Sequence, residues 1–167
     1  CVSQDFMCDF NDDCGDFSDE SDEFAGCNRF FGRVDFEDGS ISNWGVSSDD
    51  SWTILSGANE DHPTGPYRDH TTNLRSGKFL KYTRFAPIPG RLFSPVVKWD
   101  PNQITPAGGT MLACLFRFHY YFYWSDPAAE MELAVYSSHY SSDDVGYELE
   151  WKLNKADGDP QMFWERA

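Results

Sequence analysis

The chain has 167 residues, 40% of them hydrophobic and 17% aromatic, and a formal net charge of -15. That length permits one ordinary domain or a small module joined to a larger one, and the Gly- and Pro-punctuated, aromatic composition favours strands and turns over helices. The acidity argues against nucleic-acid partners, which need stripes of Lys and Arg to neutralise phosphates.

No apolar run reaches the roughly 18 residues of a membrane helix, because the longest aromatic stretch is broken by Arg117 and His119. Neither a signal peptide nor an Asn-x-Ser/Thr sequon is found. The expectation is a mature, soluble ectodomain segment with no direct membrane insertion, whose anchor, if any, lies elsewhere.

Charge and cysteine are both concentrated at one end. Residues 1–27 hold seven Asp and two Glu with no Lys or Arg, whereas the remainder has 19 acids against 13 bases. The same segment contains Cys1, Cys8, Cys14 and Cys27, and Cys114 stands alone. The residues between these cysteines are carboxylates, hard ligands that suit calcium rather than zinc, so disulfides and an oxidising, extracellular compartment follow. Four cysteines permit three connectivities, a Cys1–Cys14 bridge among them, and the odd total points to partners beyond the chain. A segment this small has too little apolar content for its own core and needs staples. Residues 28–33, Asn28-Arg29-Phe30-Phe31-Gly32-Arg33, are too short and too aromatic for a flexible tether and predict semi-rigid packing of the two modules they join.

Within Asp9-Phe10-Asn11-Asp12-Asp13-Cys14-Gly15-Asp16-Phe17-Ser18-Asp19-Glu20, side-chain oxygens fall at EF-hand-like positions 1, 3, 5 and 12,. The EF-hand itself is disfavoured, since Cys14 stands where its sharp turn needs Gly and no amphipathic helices flank the loop. So many neighbouring carboxylates repel one another unless a cation neutralises them; a merely solvated acidic tail would not need four interleaved cysteines. The stretch CVSQDFMCDFNDDCGDFSDE followed by Cys27 resembles the second half of an LDL-receptor class A repeat. That resemblance implies calcium held by the side chains of Asp9, Asp13, Asp19 and Glu20 and the backbone carbonyls of Phe6 and Asn11, with Asp16 and Ser18 bracing the loop. It also implies a Cys8–Cys27 disulfide, leaving Cys1 and Cys14 to seek partners upstream. In such repeats an aromatic and three acids grip a partner's lysine; here those positions are Phe6, Asp9, Asn11 and Asp13. Phe in place of Trp and Asn11 in place of an acid predict a partial grip, hence a calcium-organised spacer rather than a clamp.

From Val34 onward, strand-length runs recur between turn residues: Ser51–Leu55, Lys78–Tyr82, Leu92–Phe93 and the long run Met111–Trp124, which reads as a central strand. Period-two alternation places Leu112, Cys114, Phe116 and Phe118 on one buried face. Met131–Tyr136 alternates only at its start and leaves strand or short helix open. Val34-Asp35-Phe36-Glu37-Asp38-Gly39 with Trp44, Asp50-Ser51-Trp52, Gly65-Pro66 with Asp69-His70-Thr71, Gly77-Lys78-Phe79-Leu80, Arg91-Leu92-Phe93-Ser94-Pro95 and Cys114-Leu115-x-Phe occur in a fixed order that resembles a MAM domain. The resemblance spans residues 34–167, short of the family's closing strands, and implies a jelly-roll-like antiparallel β-sandwich of the kind found in adhesion receptors and mosaic proteases. It also implies a cysteine partner for Cys114 in those strands. Val34 and Ser42 stand where the family's first cysteine pair usually lies, so Phe36, Trp44 and Trp52 must supply by packing what that bridge supplies elsewhere. MAM domains can also hold calcium, for which Glu37 and Asp69 are the candidates, although turn or cap roles suit both.

The whole is therefore expected to be all-β, a stapled module over 1–27, a linker over 28–33 and a sandwich over 34–167. No G-x-S-x-G, H-E-x-x-H, P-loop or G-x-G-x-x-G occurs, and the four histidines suit surface or structural roles. The expected function is non-catalytic, calcium-dependent recognition or adhesion toward a protein ligand or a homophilic partner. The rival is an exosite or assembly region of a larger protease, receptor kinase or receptor phosphatase.

Overall fold

A computed structural model of the chain describes residues 2–3, 6–29, 32–46, 52–58, 65–82, 90–96, 116–123, 132–141, 144–154 and 164–167. Cys1, Leu112 and Cys114 lie outside these residues, and with them the pairings and burial expected of them.

Every strand among the described residues is antiparallel. β1 (Gly45–Val46) pairs with β4 (Leu92–Phe93), β2 (Trp52–Ser56) with β3 (Lys78–Tyr82), β5 (His119–Tyr120) with β8 (Glu165–Arg166), and β6 (Glu132–Ser141) with β7 (Asp144–Asn154). Helical structure among the described residues is confined to 3-10 turns, among them Ser18–Glu20 and Cys27–Arg29. The chain divides into two compact units, residues 1–60 with 67–118 and residues 61–66 with 119–167.

In the first unit, β2 and β3 show why their sequences form strands. Their register sets Trp52 opposite Tyr82, Ile54 opposite Leu80 and Leu55 opposite Phe79, so aromatic and branched residues meet across the pair. The Trp52 and Tyr82 rings lie 5.2 Å apart, and Phe79 is buried. Gly90 completes this corner: any side chain there would overlap the Tyr82 ring. Trp44 donates from Nε1 to the Gly32 carbonyl at 2.8 Å and stacks at 6.1 Å on Phe116. Two of the three aromatics expected to stand in for the missing disulfide are thus anchored by specific contacts.

The approach to β3 is built on one carboxylate. Asp69, buried to 2% exposure, accepts from Thr72 Oγ1 at 2.7 Å and Leu74 N at 3.0 Å through Oδ1, and from Thr72 N through Oδ2. It substitutes for the backbone partners that a turn leaves unmade. Gly77 backs directly onto this carboxyl, where a Cβ would overlap it.

The run read as one central strand departs from expectation. Only His119–Tyr120 is strand among residues 116–123, Phe116 is 49% exposed, and the buried member of its face is Phe122. The Phe116 and Phe118 rings, two residues apart, touch at 5.3 Å as period-two alternation would have them,, but Phe116 packs on Trp44 and stays half exposed rather than entering a core.

In the second unit, Met131–Tyr136, left open between strand and helix, lies in the long strand β6 from Glu132 onward. Its partner β7 carries Val145, Tyr147, Leu149, Trp151 and Leu153 in strict alternation with mostly polar residues, a pattern that would have placed it in advance. Val135 faces Trp151 but Tyr136 faces Leu149, leaving Glu150 as the extra residue of a bulge,. Trp151 packs at 5.5 Å on Tyr120, and Trp164 packs at 5.9 Å on Tyr121. Tyr120 donates its hydroxyl to Glu165 at 2.5 Å across β5 and β8.

Gly77→Ala should lose about 2 kcal/mol or more of stability in urea unfolding, because neither the buried Asp69 carboxyl nor the turn it holds can give way. Alkaline pH should act on the second unit. Burial first, and then Glu165, push the Tyr120 hydroxyl up to about 12. A raised folded-state pKa means stabilisation that is whole below the unfolded value of about 10 and fades as pH rises from there toward 12. Unfolding followed against pH should show that loss in the wild type and not in Tyr120→Phe.

Candidate functional site

The acidic loop of the first module is wound by its own carboxylates. Asp9 Oδ1 accepts from Asn11 N at 3.0 Å, Asp12 Oδ1 from Gly15 N at 2.7 Å and Phe17 N at 2.8 Å, and Asp16 Oδ1 from Ser18 N at 3.0 Å. The Asp9 and Asp16 bonds are Asx turns and the Asp12 bonds reach three and five residues on, and together they let a short chain reverse without a ladder,. The Ser18 bonds, side chain first, hold Asp16 below the usual carboxylate range, and this is the bracing expected of that pair. Cys8 and Cys27 are joined by a disulfide, with Cα atoms 5.3 Å apart across a separation of 19 residues. Closing a loop of that size contributes about 3 kcal/mol in the chain-entropy account. Cys14 is a free thiol.

The 3-10 turn Ser18–Glu20 then directs two carboxylates inward. Glu20 is a hub: Oε1 accepts from Asp9 N at 2.7 Å, while Oε2 accepts from Phe10 N at 2.9 Å and Arg33 Nη2 at 2.6 Å. Asp19, 3% exposed, accepts from Asp13 N at 2.8 Å through Oδ2. Its Oδ1 is buried with no hydrogen-bond partner. An unsatisfied buried carboxylate oxygen is costly. Desolvation, and then the neighbouring charges of Asp9 and Asp19, push the Asp13 carboxyl up, opposed by the Asn11 amide that donates to it at 3.0 Å. Asp9, Asp13 and Asp19 therefore belong to one loop in which like charges are felt. The Asn11 carbonyl accepts from Asp13 N at 3.1 Å, and the Phe6 ring is 47% exposed. Among the described residues the ligand atoms that converge to within 4.8 Å of one another are those of Cys14, Asp16 and Asp19; Asp9, Asp13 and Glu20, expected to hold the cation with Asp19, are not part of that group.

Glu37 and Asp69 each serve their own surroundings. Glu37 Oε1 accepts from Lys78 N at 2.7 Å and its carbonyl from Lys78 Nζ at 2.6 Å, which ties the segment around Glu37 to the start of β3. Asp69 holds the turn described above.

Three basic residues face the acidic loop: Arg33 and Arg117, to which the sequence assigned no such role, and His70, for which a surface role was expected over a carboxylate partner. Arg33 reaches Glu20 and lays its guanidinium 4.0 Å over the Phe10 ring. Arg117 Nη2 donates to the Met7 carbonyl at 2.8 Å. His70, whose imidazole is pushed down by burial, feels the opposing pull of Asp9 and Asp69. Charge position offered a hint for Arg33, which with Arg29 is among the first bases after the acidic run. For Arg117, 110 residues from Met7, the sequence offered none.

The family model of the MAM domain, meprin/A5/mu, matches residues 34–167. The chain belongs to the MAM family. No solved structure matches it. MAM domains are β-sandwiches, which accounts for the all-β, antiparallel pairing described above. They are adhesion-type, non-catalytic modules of the extracellular regions of mosaic proteins and mediate contacts between proteins. Within the MAM segment, Glu37, Asp69, Lys78 and Trp44 build the scaffold, and Arg33, one residue before it, meets the acidic loop. Among the described residues no helix is long and apolar enough to cross a membrane.

Phe17 precedes the 3-10 turn in the left-handed region, at φ 57°, and its ring is exposed. A bulky residue there is strained by about 1–2 kcal/mol, part of which glycine relieves. Phe17→Gly should therefore raise the thermal midpoint of the module, measured by differential scanning calorimetry.

Proposed function

We propose that the chain is a calcium-dependent extracellular recognition segment, in which a loop related to the LDL-receptor class A repeat orients a MAM domain toward a protein partner. The observation that carries the calcium reading is the buried, unpartnered Oδ1 of Asp19. Asp9, Asp13 and Glu20 would supply further carboxylate oxygens, and the Phe6 and Asn11 carbonyls the neutral ones, an all-oxygen donor set of the kind calcium takes. Bound there, the cation would neutralise mutual repulsion and add its binding free energy to folding. Four carboxylate oxygens of this set, Asp9 Oδ1, Asp19 Oδ2 and both of Glu20, already accept backbone N–H groups, as does the Asn11 carbonyl, which holds the loop near one shape before any ion arrives.

The loop serves better as a spacer than as a lysine clamp. The Asn11 amide is a donor and already occupies the Asp13 carboxylate, and the Met7 carbonyl beside Phe6 is taken by Arg117. A lysine approaching Phe6 would find less free negative charge than three acids provide. Recognition then falls to the MAM domain, whose partner, a second copy or a different protein, is contacted in an extracellular setting. On the β6–β7 ribbon, Tyr136, Leu149 and Tyr147 are exposed and share a face by register, an aromatic surface of the type enriched at protein contacts.

The calcium reading makes a prediction whose sign depends on conditions. In chelator, Asp13→Asn should unfold at higher urea than the wild type, since it removes repulsion from Asp9 and Asp19 and keeps an oxygen for the Asn11 amide. In millimolar calcium the order should reverse. A variant that stays ahead of the wild type in both buffers would rule calcium out of this loop.

A further inference from the structure

We infer that Arg33 is an internal counter-cation of the acidic loop, which competes with a divalent cation for Glu20 and so couples the metal state of the module to its attachment to the MAM domain. The inference rests on the calcium reading above and adds a residue that sets its affinity.

Four observations carry it. Arg33 Nη2 lies 2.6 Å from Glu20 Oε2, an oxygen that also accepts from Phe10 N, so both of its lone pairs are engaged. The pair is largely withdrawn from water, with side chains 23% and 10% exposed, where opposite charges attract more strongly than at a free surface. The guanidinium is further held against the Phe10 ring at 4.0 Å, a stacking that Lys performs less well. Finally, Arg33 Nε is buried without a partner. The guanidinium therefore sits where the negative charge is, rather than where all its donors are satisfied, as expected of a group acting mainly through its charge.

The consequence is one of linkage. A divalent cation among Asp9, Asp13, Asp19 and Glu20 meets the positive charge of Arg33 beside one of its carboxylates, and either displaces it or binds against it. Both routes lower the cation's affinity, and by reciprocity the bound cation loosens Arg33 by the same factor. Arg33 lies between the acidic loop and the first residue of the MAM match, so loosening it releases a link between the two. Arg117 on Met7 is a separate tie and keeps the module in place when Arg33 lets go. Such an arrangement suits a loop that must stay folded when calcium is scarce and change its attachment when calcium is plentiful.

The test is calcium titration by isothermal calorimetry on the full 167-residue chain, comparing the wild type with Arg33→Met and Arg33→Lys. Met keeps the aliphatic stem and removes the charge, whereas Lys keeps the charge. Arg33→Met should bind calcium roughly three- to tenfold more tightly, the effect expected of one partly screened unit charge, and Arg33→Lys should stay within about twofold of the wild type. Unfolding in chelator reads the other side of the linkage, with Arg33→Met less stable than the wild type and the difference shrinking in calcium. Equal or weaker calcium binding by Arg33→Met, with wild-type binding intact, overturns the role of Arg33 and leaves the calcium reading standing. Absence of binding in all three chains overturns both. Should Arg33→Met fail to fold, Glu20→Gln probes the same ion pair from its other side: the inference requires that it weaken the Arg33 attachment in chelator, seen as faster amide exchange around residues 32–34, and unchanged exchange there sinks it.

Discussion

The Glu20 carboxylate is the point on which the first module turns. It gathers the amides of Asp9 and Phe10 from one side of the loop and the guanidinium of Arg33 from beyond it, while the disulfide between Cys8 and Cys27 keeps the two ends within reach. Neither tie suffices alone. A disulfide restrains the unfolded chain without choosing a conformation, and a carboxylate with three donors chooses a conformation without restraining the chain. Together they let 27 residues with little apolar content hold a defined loop.

The same economy recurs in the MAM segment, where carboxylates again do what backbone pairing cannot. Asp69 closes the turn that leads to β3, and Glu37 fastens the first amide of that strand. Both are acids whose oxygens face donors from the chain, so their charges are spent on architecture. Asp19 differs: one of its oxygens is spent and the other, equally buried, is not. This contrast among three carboxylates in one chain is what the calcium proposal rests on.

Aromatic residues carry the remaining load. Trp44 with Phe116, Trp52 with Tyr82, and Trp151 with Tyr120 each join segments far apart in sequence. The Trp44 ring on Phe116 and its bond to Gly32 fasten the segment before β1. Rings supply large buried area with few rotatable bonds, which is why a chain this short of aliphatic runs can still build an ordered sheet.

The sequence by itself determined the local chemistry: β2, β3 and β4 from their branched and aromatic runs, the acidic loop from its carboxylate spacing, and the Cys8–Cys27 bridge through the resemblance of that spacing to a known repeat. These are matters of neighbours along the chain, where alternation and turn residues act within a few positions. The tertiary structure decided which charges meet. Arg117 reaches Met7 and Arg33 reaches Glu20 because the backbone brings them there, and no periodicity encodes a contact across 110 residues. It also decided that Phe116 stays half exposed against Trp44, since burial depends on what packs over a face and not on alternation alone. Whether a carboxylate becomes a turn, a cap or an unsatisfied oxygen depends on the donors packed around it, and those donors come from everywhere in the chain.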